Sequence, residues 1–338
     1  MNQHRATRLW LLLAAGVILT AGAAMCFGGV EVAPRRVFSI VFHTIAGHRE
    51  SDAATRIVLD LRLPRVVLVI AVGAALALAG VAAQTLFRNP LASPYVLGVA
   101  NGAAVGAVAV MLTVGDALGR IATPAASLCG GLLTAGIVLT LARRSDRFGH
   151  SLLLAGIAVS AFCSALTAAA LYVAGQRLQT LVFWLMGGMW LAGWRDVLLV
   201  LPIATATLLG LAALAPAMNV ALAGERAAAD LGVNVRRLHL FLLVAVSVPT
   251  AAAVATSGVI GFVGLIVPHL ARRIVGADHR RLIPASAAGG AMLLLVADTL
   301  ARTAAAPAEI PLGVVTALVG APVFLWILKR RGRAGGWE

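Results

Sequence analysis

Long apolar runs separated by short polar islands set the pattern of this chain. Residues 9–29, 66–84, 121–142, 152–175, 197–215 and 238–254 each approach or exceed the ~20 residues a helix needs to cross ~30 Å of hydrocarbon. Four less regular stretches, 94–114, 258–270, 285–304 and 312–328, bring the set to ten. Lipid offers no partner for backbone polar groups, so every span is predicted to be a helix. The expectation is an all-α polytopic bundle of ten transmembrane helices forming one membrane domain over residues 1–338. Residues 9–29 have a basic start and an apolar core but lack a clean small-x-small cleavage site with a soluble mature chain behind it, so they are expected to stay as a first helix. Residues 30–61 are expected to be a mixed-charge periplasmic loop, and residues 62–338 the core. The segment 176–193 carries Arg177, Trp184, Trp190 and a Gly187-Gly188 break, which suits a short interfacial helix on the outer side.

Charge adds a direction. The net charge is +14, and the clusters Arg5/Arg8, Arg143/Arg144/Arg147, Arg226/Arg236/Arg237, Arg272/Arg273/Arg280/Arg281 and Lys329/Arg330/Arg331/Arg333 fall on one side if both termini are cytoplasmic. The basic residues of the outer loop, Arg35, Arg36, Arg49, Arg56, Arg62 and Arg65, are interleaved with Glu31, Glu50, Asp52 and Asp60. Positive charge that follows topology forms no stripe on a folded domain, which argues against a nucleic-acid partner. Composition agrees with the spans: 61% of residues are hydrophobic, well beyond a soluble domain. Cys26, Cys129 and Cys163 lie in apolar spans with no CxxC pair, so they are expected to be small core residues and no metal site is expected.

Chemistry is sparse. Lys329, the single lysine, is followed by arginines, so no phosphate-cradling GxxxxGK[ST] loop exists. There is no HExxH and no nucleophile elbow, so no enzyme activity is expected and energy must come from a partner or an ion gradient. Glycines at Gly73, Gly80, Gly98, Gly106, Gly289 and Gly290 predict close helix–helix approach. The polar island 224–232 has an acidic start, an alanine-rich middle and Gly232 as a stop. It is either a plain connecting loop or a short helix presented to a cytoplasmic partner. Asp298 and Arg302, one turn apart, fit an intrahelical ion pair, and His269 fits a buried or capping histidine.

Three strings carry a resemblance. Arg62-Leu-Pro-Arg65, the run from Gly73 to Gly80, Gln84 and Asn89-Pro-Leu-Ala-Ser-Pro94-Tyr-Val-Leu-Gly98 form the first. Gly261-Phe-Val-Gly-Leu-Ile-Val-Pro-His269 with Ala271-Arg-Arg273 is the second. Asp298-x3-Arg302, Glu309-Ile-Pro-Leu-Gly313 and Gly320-Ala-Pro-Val-Phe324 make the third. From about residue 58 to the C-terminus the chain resembles the FecCD permeases of ABC importers. Those carry iron-siderophores, haem and vitamin B12 across the bacterial inner membrane.

The resemblance implies a type II importer subunit of ten helices that pairs with a second copy of itself around a central pathway. It implies two cytoplasmic ABC ATPase subunits that bind ATP and Mg, a periplasmic substrate-binding protein, and no cofactor on this chain. Residues 224–232 match the segment that seats on the ATPase, with Gly224, Glu225, Arg226, Asp230, Leu231 and Gly232 as its contacts. Arg62, Arg65 and Arg302 match the positions that grip carboxylates of the binding protein, which the bidentate guanidinium suits. For Arg62 and Arg65 interfacial anchoring stays open, and for Arg302 the ion pair with Asp298. Arg177, Trp184, Met186, Gln84 and Asn89 are the pathway candidates. A ferric siderophore is the first expected cargo, then haem or cobalamin. The contrasting reading is an ion-coupled secondary transporter with Asp298 as its ion site.

Overall fold

The computed structural model describes residues 3–28, 30, 32–48, 52–114, 116–143 and 148–332. Gly29, Glu31, Arg49, Glu50, Arg144, Arg147 and Arg333 therefore lie outside the described residues. Among the described residues the chain is helical throughout, without strands.

Helix α1 is Gln3–Cys26 and α2 is Pro34–Ile45. The third, α3, runs from Ala53 to Leu86 through a π-helical turn at Ile57–Arg62. Then come α4 Val99–Thr113, α5 Asp116–Ala142, α6 Phe148–Tyr172 and the short α7 Leu178–Leu185. The last six are α8 Trp194–Ala221, α9 Glu225–Asp230, α10 Val235–Ser257, α11 Val263–Val275, α12 His279–Thr303 and α13 Leu312–Gly332.

Eight of these are long and apolar enough to cross a membrane. At 1.5 Å per residue, the 15 residues of α4 and 13 of α11 reach only about 22 and 20 Å. Both follow a break in the helix pattern: a 3-10 turn at Pro94–Leu97 with Gly98 at φ 74°, and the irregular stretch 258–262.

The expected loop 30–61 is largely helical, a correction with local causes. Pro34 opens α2 with its φ already set for a first turn. Asp52 caps the start of α3, accepting from the Thr55 amide at 2.9 Å, while Arg36 Nη2 lies 2.8 Å from its other oxygen. The hydrogen bonds from Thr55 and then Arg36 hold the Asp52 carboxyl down at about 2.

Helix α3 is the axis of the bundle: 83% of its most apolar window is buried, against 11% for α1. It packs on α12, α10, α8 and α11. Close approach comes from the predicted glycines. A Cβ at Gly73 would overlap the Gly290 carbonyl of α12, and one at Gly80 would overlap the backbone of Gly264 on α11. With no hydrophobic effect between helices in lipid, this backbone-to-backbone packing is what holds α3 central. Cys163 is buried as expected, but Cys129 is exposed on the outer surface of α5 and Cys26 is partly buried.

Candidate functional site

The end of the bundle that joins α3, α10, α11 and α12 carries Arg88, Arg236, Arg237, Arg272, Arg273, Arg280 and Arg281 and is called here the basic end. Functional geometry gathers at both ends and at one level between them.

At the far end, α1 stops with its last carbonyls unpaired, as every helix does. Arg62 Nη1 donates to the carbonyls of Met25 at 2.7 Å and Cys26 at 3.0 Å, and its Nη2 donates to Val30. Arg302 donates from Nη2 to Ala24 at 3.0 Å and from Nη1 to Phe27 at 3.1 Å. Two cations thus cap one helix C-terminus, where the macrodipole favours positive charge. A side chain at Gly28 would sit 3.1 Å from Arg62 Nη2 and 3.2 Å from Arg302 Nη1, so glycine leaves room for both.

Arg302 also faces Asp298, with Nε 3.0 Å from Oδ2. The N–H is not aligned for a hydrogen bond, so this is a close ion contact. Arg65 completes the cluster. Its Nε and Nη2 reach Asp298 Oδ1 at 3.1 and 2.9 Å, and Nη1 and Nη2 reach Glu309 at 3.0 and 2.9 Å. Residues from α1, α3, α12 and the end of the α12–α13 link are thereby tied in one network.

This placement revises the expectation for the arginines. Arg62 and Arg302 are each 5% exposed, with donors spent on backbone and on Asp298. In this structure those donors seal the end of α1. Arg65 and Glu309 keep 13% and 31% of their side chains exposed. The Asp298–Arg302 contact expected from spacing is present. Glu309 was not singled out as a site residue, although it opens the middle segment of the third resembling string.

Where α7 and α10 end and α13 begins, three chain breaks meet. Gly188 N–H donates to Ser257 at 2.8 Å, Leu312 N–H to Gly187 at 2.8 Å and Gly313 N–H to Met186 at 3.1 Å. Tyr95 Oη donates to the Ile260 carbonyl. Non-helical backbone survives at membrane depth only when it is satisfied inside protein or lines a water-filled path. Gly187 and Gly258 adopt φ of 73° and 64°, and a Cβ at Gly258 would overlap the Trp184 carbonyl.

Of the pathway candidates, Trp184 packs beside Ala100, Ala103 and Val254, and Met186 is 41% exposed at this junction. Arg177 is separate from them. It donates from Nη1 to Met111 at 2.6 Å and Leu112 at 2.7 Å, capping the end of α4. At the segment 176–193 the structure has a short helix, a 3-10 turn at Gly175–Arg177 followed by α7. Gln84 and Asn89 belong to the opposite, basic half. Gln84 is buried and donates from Nε2 to the Leu265 carbonyl of α11 at 3.2 Å. Asn89 is exposed and accepts from the Leu91 amide at 2.9 Å, serving its own turn.

At the basic end, residues 224–232 contain the short helix α9. Gly224 enters at φ 115° and Gly232 leaves at φ 83°, the left-handed conformation that closes a helix. Ala228 is fully buried, while Arg226, Asp230 and Leu231 face outward, Leu231 at 71% exposure. Glu225 turns back into its own chain: Oε1 is 2.5 Å from Arg88 Nη2 and 3.8 Å from His239 Nε2. Arg88, just past α3, adopts φ 47° to do this.

Beside it runs a partly buried polar chain that sequence reasoning missed. Asn219 of α8 donates to Asp278 Oδ1 at 2.7 Å and accepts from the His279 amide at 2.9 Å. The His279 ring joins Asn219 Oδ1 at 2.8 Å to Thr85 Oγ1 of α3 at 2.9 Å. Hydrogen bonds from Asn219 and from the Arg280 amide pull the Asp278 carboxyl below its ordinary range. Asp278 directly before α12 was the available signal, being an N-cap residue at a helix start. His269 is buried in α11.

Comparison with known proteins agrees with this geometry. The chain is 43% identical over 340 residues to the hemin transport system permease of Yersinia pestis, covering 98% of each. It is 39% identical over 334 residues to the vitamin B12 import system permease of Escherichia coli O127:H6, again with 98% of each covered. A solved inward-facing structure described as a metal-chelate type ABC transporter superposes with a TM-score of 0.84 at 30% identity, over 96% of this chain and 99% of that one. The FecCD transport family matches residues 12–330, and the chain belongs to it.

Proposed function

We propose that this chain is the membrane-spanning subunit of a binding-protein-dependent ABC importer for a metal chelate, with haem as its first cargo. The observation that supports the reading is end-to-end identity of 43% with the hemin permease. Cobalamin is the second reading, favoured by cobalamin import permeases that match at 39% over 98% of the chain and at 44% over 83%, and a ferric siderophore is third. The subunit makes no covalent change. ATP and Mg belong to two partner ATPases, since the sequence lacks a phosphate-binding loop.

The basic end is assigned to the cytoplasm by the positive-inside rule, which puts both termini there. Counting α4 and α11 with the eight long helices gives ten spans in one membrane domain, working as a pair with a second copy in the bacterial inner membrane. Residues 224–232 seat on the ATPase through Leu231, Arg226 and Asp230, with Glu225 holding the segment to Arg88. The periplasmic binding protein docks at the far end over Arg65 and Glu309, while Arg62 and Arg302 position that surface from beneath. The junction of Met186, Ser257 and Leu312 is the gate, because breaks in three segments can re-pair with small movements. An ion-coupled mechanism at Asp298 is opposed by two guanidiniums already bound to it.

Proteoliposomes holding this subunit, its ATPase and its binding protein, offered haem, cobalamin and ferric siderophores, test the reading. ATP-dependent uptake of haem supports it, and uptake that persists without the ATPase refutes it.

A further inference from the structure

A cavity of about 350 Å³ lies between α1, α11, α12 and α13. Its lining is apolar but for Thr316, whose hydroxyl is turned to the Gly313 carbonyl at 3.1 Å. Along α12 it follows one stripe from Ala285 through Gly289, Met292 and Val296 to Leu300. At 1.5 Å per residue that is about 22 Å of groove, longer than the ~15 Å of hydrocarbon in one leaflet.

The groove is long and apolar along its length, which suits an extended hydrocarbon chain. The walls at the basic end add charge. Lining residues Leu9 and Ile274 stand beside Arg8 and Arg273, both exposed. The adjoining Arg272 keeps a buried Nε without a hydrogen-bond partner. Basic groups at the mouth of an apolar groove are the chemistry that holds a phosphate headgroup above its own acyl chain.

We propose that this groove binds one anionic phospholipid from the leaflet at the basic end, with an acyl chain between α11, α12 and α13 and its phosphate at Arg8 and Arg273. The proposal goes beyond the transport reading and needs only that the chain spans a membrane. The bound lipid fills space that side chains leave empty and braces α13, which packs less extensively than the central helices.

Native mass spectrometry tests it on the full chain, purified in detergent and exposed to equal phosphatidylglycerol and phosphatidylethanolamine of matched chains. One phosphatidylglycerol per chain should survive washing, preferred by roughly 10- to 30-fold on the basis of about 1 kcal/mol per basic group. Val296→Trp and Gly289→Leu, which fill the groove from different turns, should abolish retention of both lipids at unchanged helicity. The pair Arg8→Gln and Arg273→Gln should keep one lipid and lose the preference. Equal retention of the two lipids by the unaltered chain would overturn the proposal. So would retention unaffected by both filling variants, or efficient crosslinking of Val296→Cys between two copies.

Discussion

Replacing Arg65 with methionine keeps most of the stem's volume and removes the guanidinium that joins Asp298 to Glu309. Four charge-assisted contacts of 2.9–3.1 Å disappear. Glu309, at 31% side-chain exposure, rehydrates at little penalty. Asp298, at 1%, cannot, and keeps only the ion contact with Arg302. Removing one partner of a buried pair costs about 3–5 kcal/mol, against about 0–1 kcal/mol for an exposed pair. Because Arg302 still offsets part of the charge, the expected loss is about 3 kcal/mol. Asp298→Asn in the same background removes the stranded charge, so the double variant should lose less than the two singles together, by about 2 kcal/mol. Glu309→Gln should lose about 1 kcal/mol or less. Unfolding in mixed micelles followed by tryptophan fluorescence measures all four proteins. An Arg65→Met loss below about 0.5 kcal/mol, or additivity within that margin, would refute the buried-network account.

Four further outcomes follow from the packing and the ends. Gly80→Ala forces a methyl into the Gly264 backbone and should destabilise by about 1–3 kcal/mol or more, whereas Gly136→Ala, with open space around it, should gain up to about 1 kcal/mol; the same unfolding assay reads both. Asn219→Ala removes the partner of the His279 amide and of one His279 ring nitrogen, with an expected loss of about 1–3 kcal/mol, while Asn89→Ala at an exposed turn should stay within about 0.5 kcal/mol. Leu231→Asp should leave stability unchanged within about 0.5 kcal/mol yet abolish co-purification of the partner ATPase; retained assembly would refute the docking role of residues 224–232. The Asp52 carboxyl is drawn down from 3.8 to about 2, so its capping of α3 is fully present above pH 4 and fades as pH falls through about 2. Asp52→Ala should therefore fray the start of α3 at pH 7, seen as faster amide exchange at Thr55, and differ little from the unaltered chain below pH 2.

What the sequence made legible is what periodicity and residue size encode. The apolar runs predict the eight long helices, and the glycines at Gly73, Gly80 and Gly290 predict the helix contacts the structure contains. The acidic start and Gly232 stop predict α9. The region 30–61 was misjudged because mixed charge suggests a loop, while its helices depend on Pro34 and on the Asp52 cap. The chain Asp278–Asn219–His279–Thr85 was invisible because its members come from three helices far apart in sequence. Spacing on one helix, as for Asp298 and Arg302, can be seen in a sequence; registry between helices cannot.

The arginines show why charge is the harder signal in a membrane chain. At the surface of a soluble protein the last carbonyls of a helix are satisfied by water, so a nearby arginine is free for a partner. Here α1 ends against Arg62 and Arg302, and α4 ends against Arg177. In each case the guanidinium takes two neighbouring carbonyls or spans the last turn, a fit of its several fixed donors to several orphan acceptors that lysine's single ammonium cannot match. That chemistry is the same one that grips a carboxylate, which is why the sequence pattern alone points equally to docking and to capping. The discriminating quantity is whether water reaches the helix end. At the α1 terminus Arg62, Arg302 and Asp298 are buried, and the donors of Arg62 and Arg302 go to its carbonyls. Arg65, one turn beyond Arg62 and bound to carboxylates rather than to a helix end, is the one of the three arginines that could exchange Glu309 for a partner's acid without unsealing α1.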